Sequence, residues 1–434
     1  MKTDLPNQGI LNEHATCHTA ASRANVRERA VELAAMNGRS ALDTSKSDWE
    51  QAKRELAGTG CEEHPQTPAS TINNHAPMKA TVAALLAPGK GILAADESFP
   101  TIEKRFTALG IPANEDNRRA YRELLFTTPG LNEFISGAIL FTETLHQSTS
   151  SGAFMPEALA QQAIIPGIKV DGGTEELSGF PGEKITHGLD GLSDRLAAYR
   201  ERGARFTKWR AVITIGDGLP TTACIEANAQ ALALFASQSQ EAGLVPIVEP
   251  EVLMSGNHTL ARCEEVMDAT LQAVFAALFE QRVVLETMLL KTGLVLPGQD
   301  CPQQATASEI AEATLRCLGR HVPAAVPGIV FLSGGQSDVA ATERLNALCK
   351  LRAAPWTLSF SFGRALQDQA MKTWKGDPAN VAASQAALHH RARCNSLALL
   401  GNYAGEDAGL SAPAPHQLTE GEAVAVWQNE GDPN

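Results

Sequence analysis

The chain has 434 residues, 44% of them hydrophobic, which is enough to bury the core of a barrel of roughly 250 to 330 residues. Its formal net charge of −13 at pH 7 argues against nucleic acid or an anionic membrane as a partner, so local lysines and arginines would have to hold an anionic ligand. No stretch is long and apolar enough for a membrane span or a signal-peptide core, and the eight cysteines are scattered. We therefore expect a cytoplasmic protein with reduced thiols and no membrane contact.

Residues 1–57 predict a small helical extension, and residues 58–77, rich in Thr, Pro and Asn, predict a linker. Helices are expected at 25–38, with Gly38 as the carboxyl cap, and at 47–56, where Ser47 and Glu50 are spaced as in a capping box. The pair weakly resembles a small bacterial helical domain of unknown function. Its apolar stripe is too small to form a stable core alone.

Eight short apolar runs beyond the linker predict strands. They lie at residues 91–96, 135–141, 164–171, 206–212, 244–251, 283–291, 328–335 and 356–364. Helical stretches such as 260–278 and 307–319 alternate with them. This order predicts an α/β fold, a parallel (β/α)8 TIM barrel over residues 78–410. The acidic, Pro- and Ala-rich residues 411–434 predict a mobile tail.

Polar side chains recur in these apolar runs about every 40 residues, somewhat more than the minimum of roughly 30 for one strand–helix–strand unit. The recurring positions are Lys169, Lys208, Glu249, Lys291 and Ser333. Catalytic groups of parallel barrels cluster at the carboxyl ends of the strands. Strand residues two apart face the same way, so Lys208 with Arg210, and Glu249 with Glu251, should each project as a pair.

Lys291 follows two leucines at the end of an apolar run, and this setting marks it as a candidate nucleophile. Loss of hydration disfavours the ammonium form, and the neutral amine can attack a carbonyl to form a Schiff base. The alternative is an ordinary strand-end lysine whose flexible stem reaches back to solvent.

These residues lie in motifs that, in their order, resemble those of class I fructose-1,6-bisphosphate aldolase, the Schiff-base type. The matching segments are 91–98 (GILAADES), 167–171 (GIKVD), 208–210 (KWR), 248–251 (VEPE), 289–291 (LLK), 332–336 (LSGGQ) and 363–367 (GRALQ). The resemblance covers about residues 78–405. It implies reversible cleavage of fructose 1,6-bisphosphate to dihydroxyacetone phosphate and glyceraldehyde 3-phosphate, without a cofactor or metal, by a homotetramer.

The resemblance also implies a role for each catalytic candidate. Lys291 would form the imine, and Glu249 would be the acid/base that moves protons during its formation. Lys208 would repel a proton on Lys291 and donate hydrogen bonds to substrate oxygens. Asp96 would be the base near the alcohol at the fourth carbon. Glu251 would be a supporting carboxylate that holds Lys208 or Lys291.

A bisphosphate needs two anion sites. Glycine turns and a helix amino terminus after the seventh and eighth strands predict one of them, formed by Ser333, Gly334, Gly335, Ser361, Gly363 and Arg364. The resemblance places the other phosphate near Ser98, Thr101, Lys104, Arg105, Lys169 and Arg210. Alternatively, the glycines are only turns, and Lys104 with Arg105 belongs to a solvated helix face.

Three departures from the animal relatives are visible. Thr292 and Gly293 replace a proline-containing turn, Gly173 stands where those relatives have a lysine, and the last residues lack the terminal tyrosine that assists proton transfer. Tyr403 aligns with an internal tyrosine and is not a substitute. The first two changes remove no catalytic group. Without the terminal tyrosine, we expect proton transfer to the enamine to use another group, and the discrimination between bisphosphate and monophosphate substrates to differ.

Two other functions remain open. A metal-dependent aldolase or a phosphate-binding isomerase could use the same barrel, but a metal enzyme would need clustered histidines. No recognised ligand spacing joins His187, His258, His321, His389 and His390. A non-catalytic scaffold with a partner-recruiting helical pair would be favoured if Lys291 or Glu249 were replaced, and both are present.

Overall fold

The computed structural model describes residues 29–31, 33–34, 44–58, 75–351 and 354–406, with side chains of 53–58 excepted. The chain divides into two units, Met1–Asn73 and Asn74–Asn434, and each is described separately. Most of the predicted linker, the position of Gly38 and all of the predicted acidic tail lie outside the described residues.

In the first unit, helix α1 spans Lys46–Gly58, close to the predicted 47–56. The capping box predicted at Ser47 and Glu50 is wrong, because the box begins two residues earlier. The backbone N–H of Ser45 donates to Asp48 Oδ2 at 2.7 Å, and the Asp48 N–H donates to Ser45 Oγ at 3.3 Å. The shorter aspartate side chain takes the place usually held by glutamate at this position of the box.

The predicted apolar stripe of this unit is confirmed for the residues that can be described. Ala30, Leu33 and Ala52 are buried against one another, and Trp49 packs against them. The cluster is small, as expected for a short helical segment.

The second unit is the predicted (β/α)8 barrel. Its strands are β1 (Gly91–Ala95), β2 (Ile135–Leu140), β3 (Ile165–Lys169), β6 (Phe206–Ile213), β7 (Val245–Val252), β8 (Leu289–Thr292), β9 (Gly328–Phe331) and β10 (Thr357–Phe362), and a separate antiparallel hairpin is formed by β4 (Thr174–Glu176) and β5 (Lys184–Thr186). The eight barrel strands are parallel, neighbours in sequence are neighbours in space, and β1 closes the barrel against β10.

Helices of the second unit alternate with these strands. They are α2 (Ala76–Leu85), α3 (Phe99–Thr107), α4 (Glu115–Phe126), α5 (Thr142–His146), α6 (Met155–Gln161), α7 (Leu192–Glu201), α8 (Thr222–Glu241), α9 (Leu260–Glu280), α10 (Ala307–His321), α11 (Asp338–Lys350), α12 (Arg364–Trp374) and α13 (Val381–Leu399). None of the helices in the described ranges combines the length and hydropathy needed to cross a membrane.

Two local predictions differ from the structure. The run 283–291 was expected to be one strand, but Leu285–Thr287 forms a 3-10 turn and β8 begins only at Leu289. The hairpin of β4 and β5 was not predicted. All three residues of β4 are exposed, so neither an apolar run nor an alternation of apolar and polar residues marks this hairpin.

The amino-terminal half of the barrel interior is an apolar plug. Met78, Val82 and Leu85 of α2 pack there against inward-facing strand residues. Those residues include Ile92, Ile139, Phe206, Val245, Ile247, Leu289 and Val330. A side chain at Gly167 would lie 2.2 Å from the Phe206 ring, so glycine is required beside this aromatic residue. Helix α2 therefore closes one end of the barrel and leaves the carboxyl ends of the strands for the site.

Candidate active site

Four charged side chains converge inside the barrel, three of them on the neighbouring strands β6, β7 and β8 and one after β1. Asp96 follows β1, Lys208 lies in β6, Glu249 in β7 and Lys291 in β8. All four are buried. Two residues before each charged residue, the side chain that faces the same way is apolar and belongs to the apolar plug. The charges therefore lie next to the plug, on its carboxyl-terminal side.

The four groups form one chain of alternating charges. Lys208 Nζ lies 2.6 Å from Asp96 Oδ2 and 3.2 Å from Glu249 Oε2. The other Glu249 oxygen, Oε1, lies 3.1 Å from Lys291 Nζ. Glu249 thus contacts both lysines and is placed to exchange protons with the Lys291 amine. Lys208, Glu249 and Lys291 stand on the adjacent strands β6, β7 and β8.

Pairing determines the protonation of this buried cluster. Burial by itself would raise the pKa of Asp96, but the charges of Lys208 and Lys291 outweigh it and lower that pKa to about 2. Burial would lower the pKa of Lys208, but Asp96 and Glu249 outweigh it and raise the pKa above its ordinary value. Lys208 is therefore a cation that shares Glu249 with Lys291.

The prediction for Glu251 needs a correction. Glu251 was expected to hold Lys208 or Lys291, but its Oε2 lies 2.5 Å from Nε of Arg210. In the register of β6 and β7, Arg210 stands opposite Glu249. Glu251 lies two residues further along β7 and faces the same way, so the long Arg210 side chain reaches Glu251 diagonally. Glu251 thus organises the arginine rather than the two lysines.

The loops after β9 and β10 meet as predicted. Gly334 has a φ of +54°, a backbone conformation that favours glycine, and a side chain at Gly335 would come within 2.9 Å of Met254 Sδ. The Arg364 guanidinium, at the start of α12, donates to the carbonyl of Gly334. The buried Ser361 hydroxyl has no hydrogen-bond partner among the described residues, and it is a free donor for a ligand.

The second predicted phosphate set is less uniform. Ser98 and Thr101 hydroxyls lie 3.3 Å apart at the start of α3, whereas Lys104 is exposed on the same helix. The cations Lys169 and Arg105 are already ion-paired, the first with Asp171 and the second with Glu97 and Asp368. A phosphate would have to share or exchange these partners.

A network not predicted from the sequence fixes the end of β1. Glu97, the neighbour of Asp96, binds Arg105 and also lies 2.8 Å, through Oε2, from Arg122 NH2. The Gln367 amide donates to the carbonyl of Ala94 at 2.6 Å. The one signal in the sequence is that Glu97 and Gln367 fall inside the motifs of β1 and α12, and their partners are far away along the chain.

The fold and the strand-end lysine–carboxylate cluster define a (β/α)8-barrel enzyme site. Comparison with known proteins gives the particular family. A family model described as fructose-bisphosphate aldolase class-I matches residues 77–419. The chain belongs to the class-I fructose-bisphosphate aldolase family.

Relatives from distant organisms agree with this assignment. The chain is 55% identical to the probable fructose-bisphosphate aldolase class 1 of Xylella fastidiosa (strain 9a5c), over 75% of this chain and 98% of the relative. It is 52% identical to the fructose-bisphosphate aldolase of Dictyostelium discoideum, over 77% and 94%. A solved structure of fructose-bisphosphate aldolase from Plasmodium falciparum superposes with a TM-score of 0.76 at 46% identity, and covers 78% of this chain and 97% of that one.

Proposed function

We propose that this aldolase cleaves fructose 1,6-bisphosphate through a Schiff base on Lys291. The observation that carries the proposal is the buried contact between Lys291 Nζ and Glu249 Oε1 at 3.1 Å, at the carboxyl end of β8. A nucleophile with an adjacent acid/base group is the arrangement that covalent catalysis on a carbonyl requires.

In the first step, the neutral Lys291 amine attacks the ketone carbon of the substrate, and Glu249 moves one amine proton to the former carbonyl oxygen, which gives the neutral carbinolamine. Glu249 takes up a further proton from solvent and transfers it to the carbinolamine hydroxyl, water leaves, and an iminium ion remains. This ion accepts the electron pair of the bond between the third and fourth carbons. Glyceraldehyde 3-phosphate departs, and protonation and hydrolysis of the enamine release dihydroxyacetone phosphate.

Cleavage also requires loss of the proton from the alcohol at the fourth carbon, and we assign this step to Asp96. In the free protein Asp96 is ionised, because Lys208 lies 2.6 Å away and lowers its pKa to about 2. A substrate hydroxyl that displaces Lys208 from this carboxylate removes part of that effect and makes Asp96 a stronger base. Lys208 then donates to substrate oxygens.

The two phosphates are assigned to the two loop regions. The set at the ends of β9 and β10 offers the unpaired Ser361 hydroxyl, backbone N–H groups at the start of α12 and the Arg364 guanidinium. The second set offers Ser98, Thr101 and Lys104, together with arginines and a lysine that are paired with carboxylates. We infer that the first set supplies more of the binding free energy, since it does not require ion pairs to be exchanged.

Reduction of the imine with borohydride tests the central step. The protein is mixed with dihydroxyacetone phosphate, reduced and digested, and the modified peptide is identified by mass spectrometry. We expect the adduct on Lys291. An adduct on Lys208 or Lys169 would contradict the assignment of roles even in an active aldolase.

We further propose that the enzyme is a metal-independent homotetramer of the cytoplasm. Imine chemistry supplies its own electron sink, and one relative that is 52% identical carries the name fructose-bisphosphate aldolase 4, cytosolic, in Arabidopsis thaliana. Activity on fructose 1,6-bisphosphate should survive strong chelation unchanged. Loss of activity in EDTA that zinc or cobalt restores would overturn the metal-independent mechanism. Light scattering after size-exclusion chromatography measures the number of subunits in the oligomer.

A further inference from the structure

A second cluster of chemically reactive side chains lies on helix α13, outside the strand-end site. His390 and Cys394 occupy successive turns of this helix, and Glu406 follows it in the chain. Their ligand-type atoms all lie within 4.8 Å of one another, the one such group of three or more His, Cys, Asp or Glu in the described part of the chain. The mechanism above does not use these residues.

We propose that His390, Cys394 and Glu406 bind one zinc ion. Imidazole nitrogen, thiolate sulfur and carboxylate oxygen are the donor atoms that zinc uses in proteins. Two histidine or cysteine ligands four residues apart on a helix present their side chains on the same face. This spacing is not visible from the histidines alone, because a cysteine and a distant glutamate complete the set.

The distances match a tetrahedral site. His390 Nε2 lies 3.5 Å from Cys394 Sγ and 3.3 Å from Glu406 Oε2. Ordinary zinc–ligand bond lengths in a tetrahedron separate nitrogen from sulfur by about 3.5 Å and nitrogen from oxygen by about 3.3 Å. Two of the three distances among these ligand atoms thus already match a tetrahedral site, and the third, between Cys394 and Glu406, is at most 4.8 Å.

Neighbouring groups orient the carboxylate for this purpose. Arg391 and the Tyr403 hydroxyl both donate to Oε1 of Glu406. The remaining oxygen, Oε2, faces His390. Such hydrogen bonds from surrounding residues are the usual means by which a protein fixes the orientation of a metal ligand.

Burial gives the site an inner and an outer side. Cys394 is 4% exposed, whereas the side chains of His390 and Glu406 are each 36% exposed. An ion can therefore enter from solvent and reach the sulfur, and a water molecule would be the fourth ligand. On binding, the Cys394 thiol loses its proton to solvent, and the zinc charge offsets the cost of the buried thiolate. A site of this kind stabilises the fold by holding Glu406 against α13 and takes no part in the aldol chemistry.

The test uses the full-length protein, stripped of metal with a chelator and titrated with cobalt(II) and then zinc(II). We expect a thiolate-to-cobalt charge-transfer band in the near ultraviolet that saturates at one equivalent and disappears when zinc replaces cobalt. Zinc should also raise the melting temperature without changing aldolase activity. Cys394→Ser should abolish the band, and Glu406→Gln should weaken cobalt binding roughly tenfold or more while keeping a thiolate band.

Matched controls are available on the same protein. Cys349→Ser removes another described thiol, and His389→Gln removes the histidine next to His390, so both should retain the band and the stabilisation by zinc. The chain has 8 cysteines and 11 histidines, so the difference between variants is the informative quantity. A band that persists in Cys394→Ser would overturn the proposal, and so would a wild-type protein that binds no cobalt. Glu406→Gln keeps the test decisive if the cysteine variant fails to fold.

Discussion

The two halves of the barrel interior use the same strands in opposite ways. In the amino-terminal half, Phe206 of β6, Ile247 of β7 and Leu289 of β8 are fully buried apolar residues covered by helix α2. Two residues later, on the same faces of the same strands, stand Lys208, Glu249 and Lys291. Along each of these strands, a core residue and a candidate catalytic residue are therefore only two positions apart.

The energetics of the two halves differ accordingly. Each apolar side chain in the plug contributes about 1.5–3 kcal/mol by leaving water. Each charge in the upper half costs free energy to bury, and only the alternation of Asp96, Lys208, Glu249 and Lys291 offsets that cost. Substitutions in the apolar plug of the amino-terminal half (the lower half) should thus change stability. Substitutions in the charged cluster at the carboxyl-terminal side (the upper half) should change activity.

The largest effect is expected for Lys291→Ala. No other group can supply the electron sink once the amine is gone, so activity should decrease by roughly four orders of magnitude or more, and borohydride trapping should disappear. Steady-state cleavage of fructose 1,6-bisphosphate and mass spectrometry measure the two effects. Lys291→Arg is the matched variant, since it keeps a cation beside Glu249 but cannot form an imine. Substantial activity in the arginine variant would show that the positive charge, and not the nucleophile, is what matters.

Glu249→Gln should be less severe. It keeps Lys291 but removes the group that moves protons during imine formation, and a loss of about 10²–10⁴-fold is typical of general acid/base catalysis. Rapid quenching with borohydride should reveal slow accumulation of the imine. Normal rates of imine formation in this variant would assign the proton transfers to another group.

Phe206→Ala tests the lower half. Deletion of this fully buried ring, which lies against Gly167, should lower the free energy of unfolding by about 3–5 kcal/mol. The kcat of the folded variant should stay within a few-fold of the wild type, because the ring belongs to the apolar plug and carries no group that the proposed reaction uses. Urea unfolding gives the first quantity and cleavage assays the second. A folded variant with normal stability but a large loss of kcat would show that the apolar plug contributes to catalysis and not only to stability.

Asp96 should make stability depend on pH at the acidic end. Its pKa is about 2 in the folded protein and 3.8 for an unperturbed group, so the stabilisation is present above the higher value and is lost as pH falls through the lower one. The free energy of unfolding should therefore fall by about 2 kcal/mol more in the wild type than in Asp96→Asn as pH decreases towards 2. Equal pH dependence in the two proteins, measured by denaturant titration, would mean that the pairing with Lys208 adds no stability.

The barrel and the identity of its charged residues were predictable, because apolar runs and polar strand ends recur with a regular spacing. Lys208, Glu249 and Lys291 could be placed together since consecutive strands of such a barrel are neighbours. The partner of Glu251 could not be predicted. Whether a long side chain reaches a direct or a diagonal neighbour depends on its rotamer and on strand twist. The spacing of residues along the sequence determines neither of these.

Contacts between distant segments were also beyond the sequence. Nothing in the pattern connects Glu97 with Arg122, or Cys394 with Glu406, because each partner lies on a different element or after the end of a helix. The hairpin of β4 and β5 was missed for another reason, since β4 is fully exposed and has no apolar residues to reveal it.

The smallest effect is expected from removal of residues 1–73, because every candidate catalytic and phosphate-binding residue lies in the unit that begins at Asn74. Cleavage by the truncated protein should stay within a few-fold of the full-length chain. The matched control is removal of residues 1–85, which also deletes α2 and its buried Met78, Val82 and Leu85, and should destabilise the barrel strongly by opening the apolar plug. Circular dichroism and cleavage assays on both truncations separate folding from catalysis. If the protein without residues 1–73 folds normally but has lost its activity, the amino-terminal residues complete the site. The charged cluster of the barrel would then not account for all of catalysis.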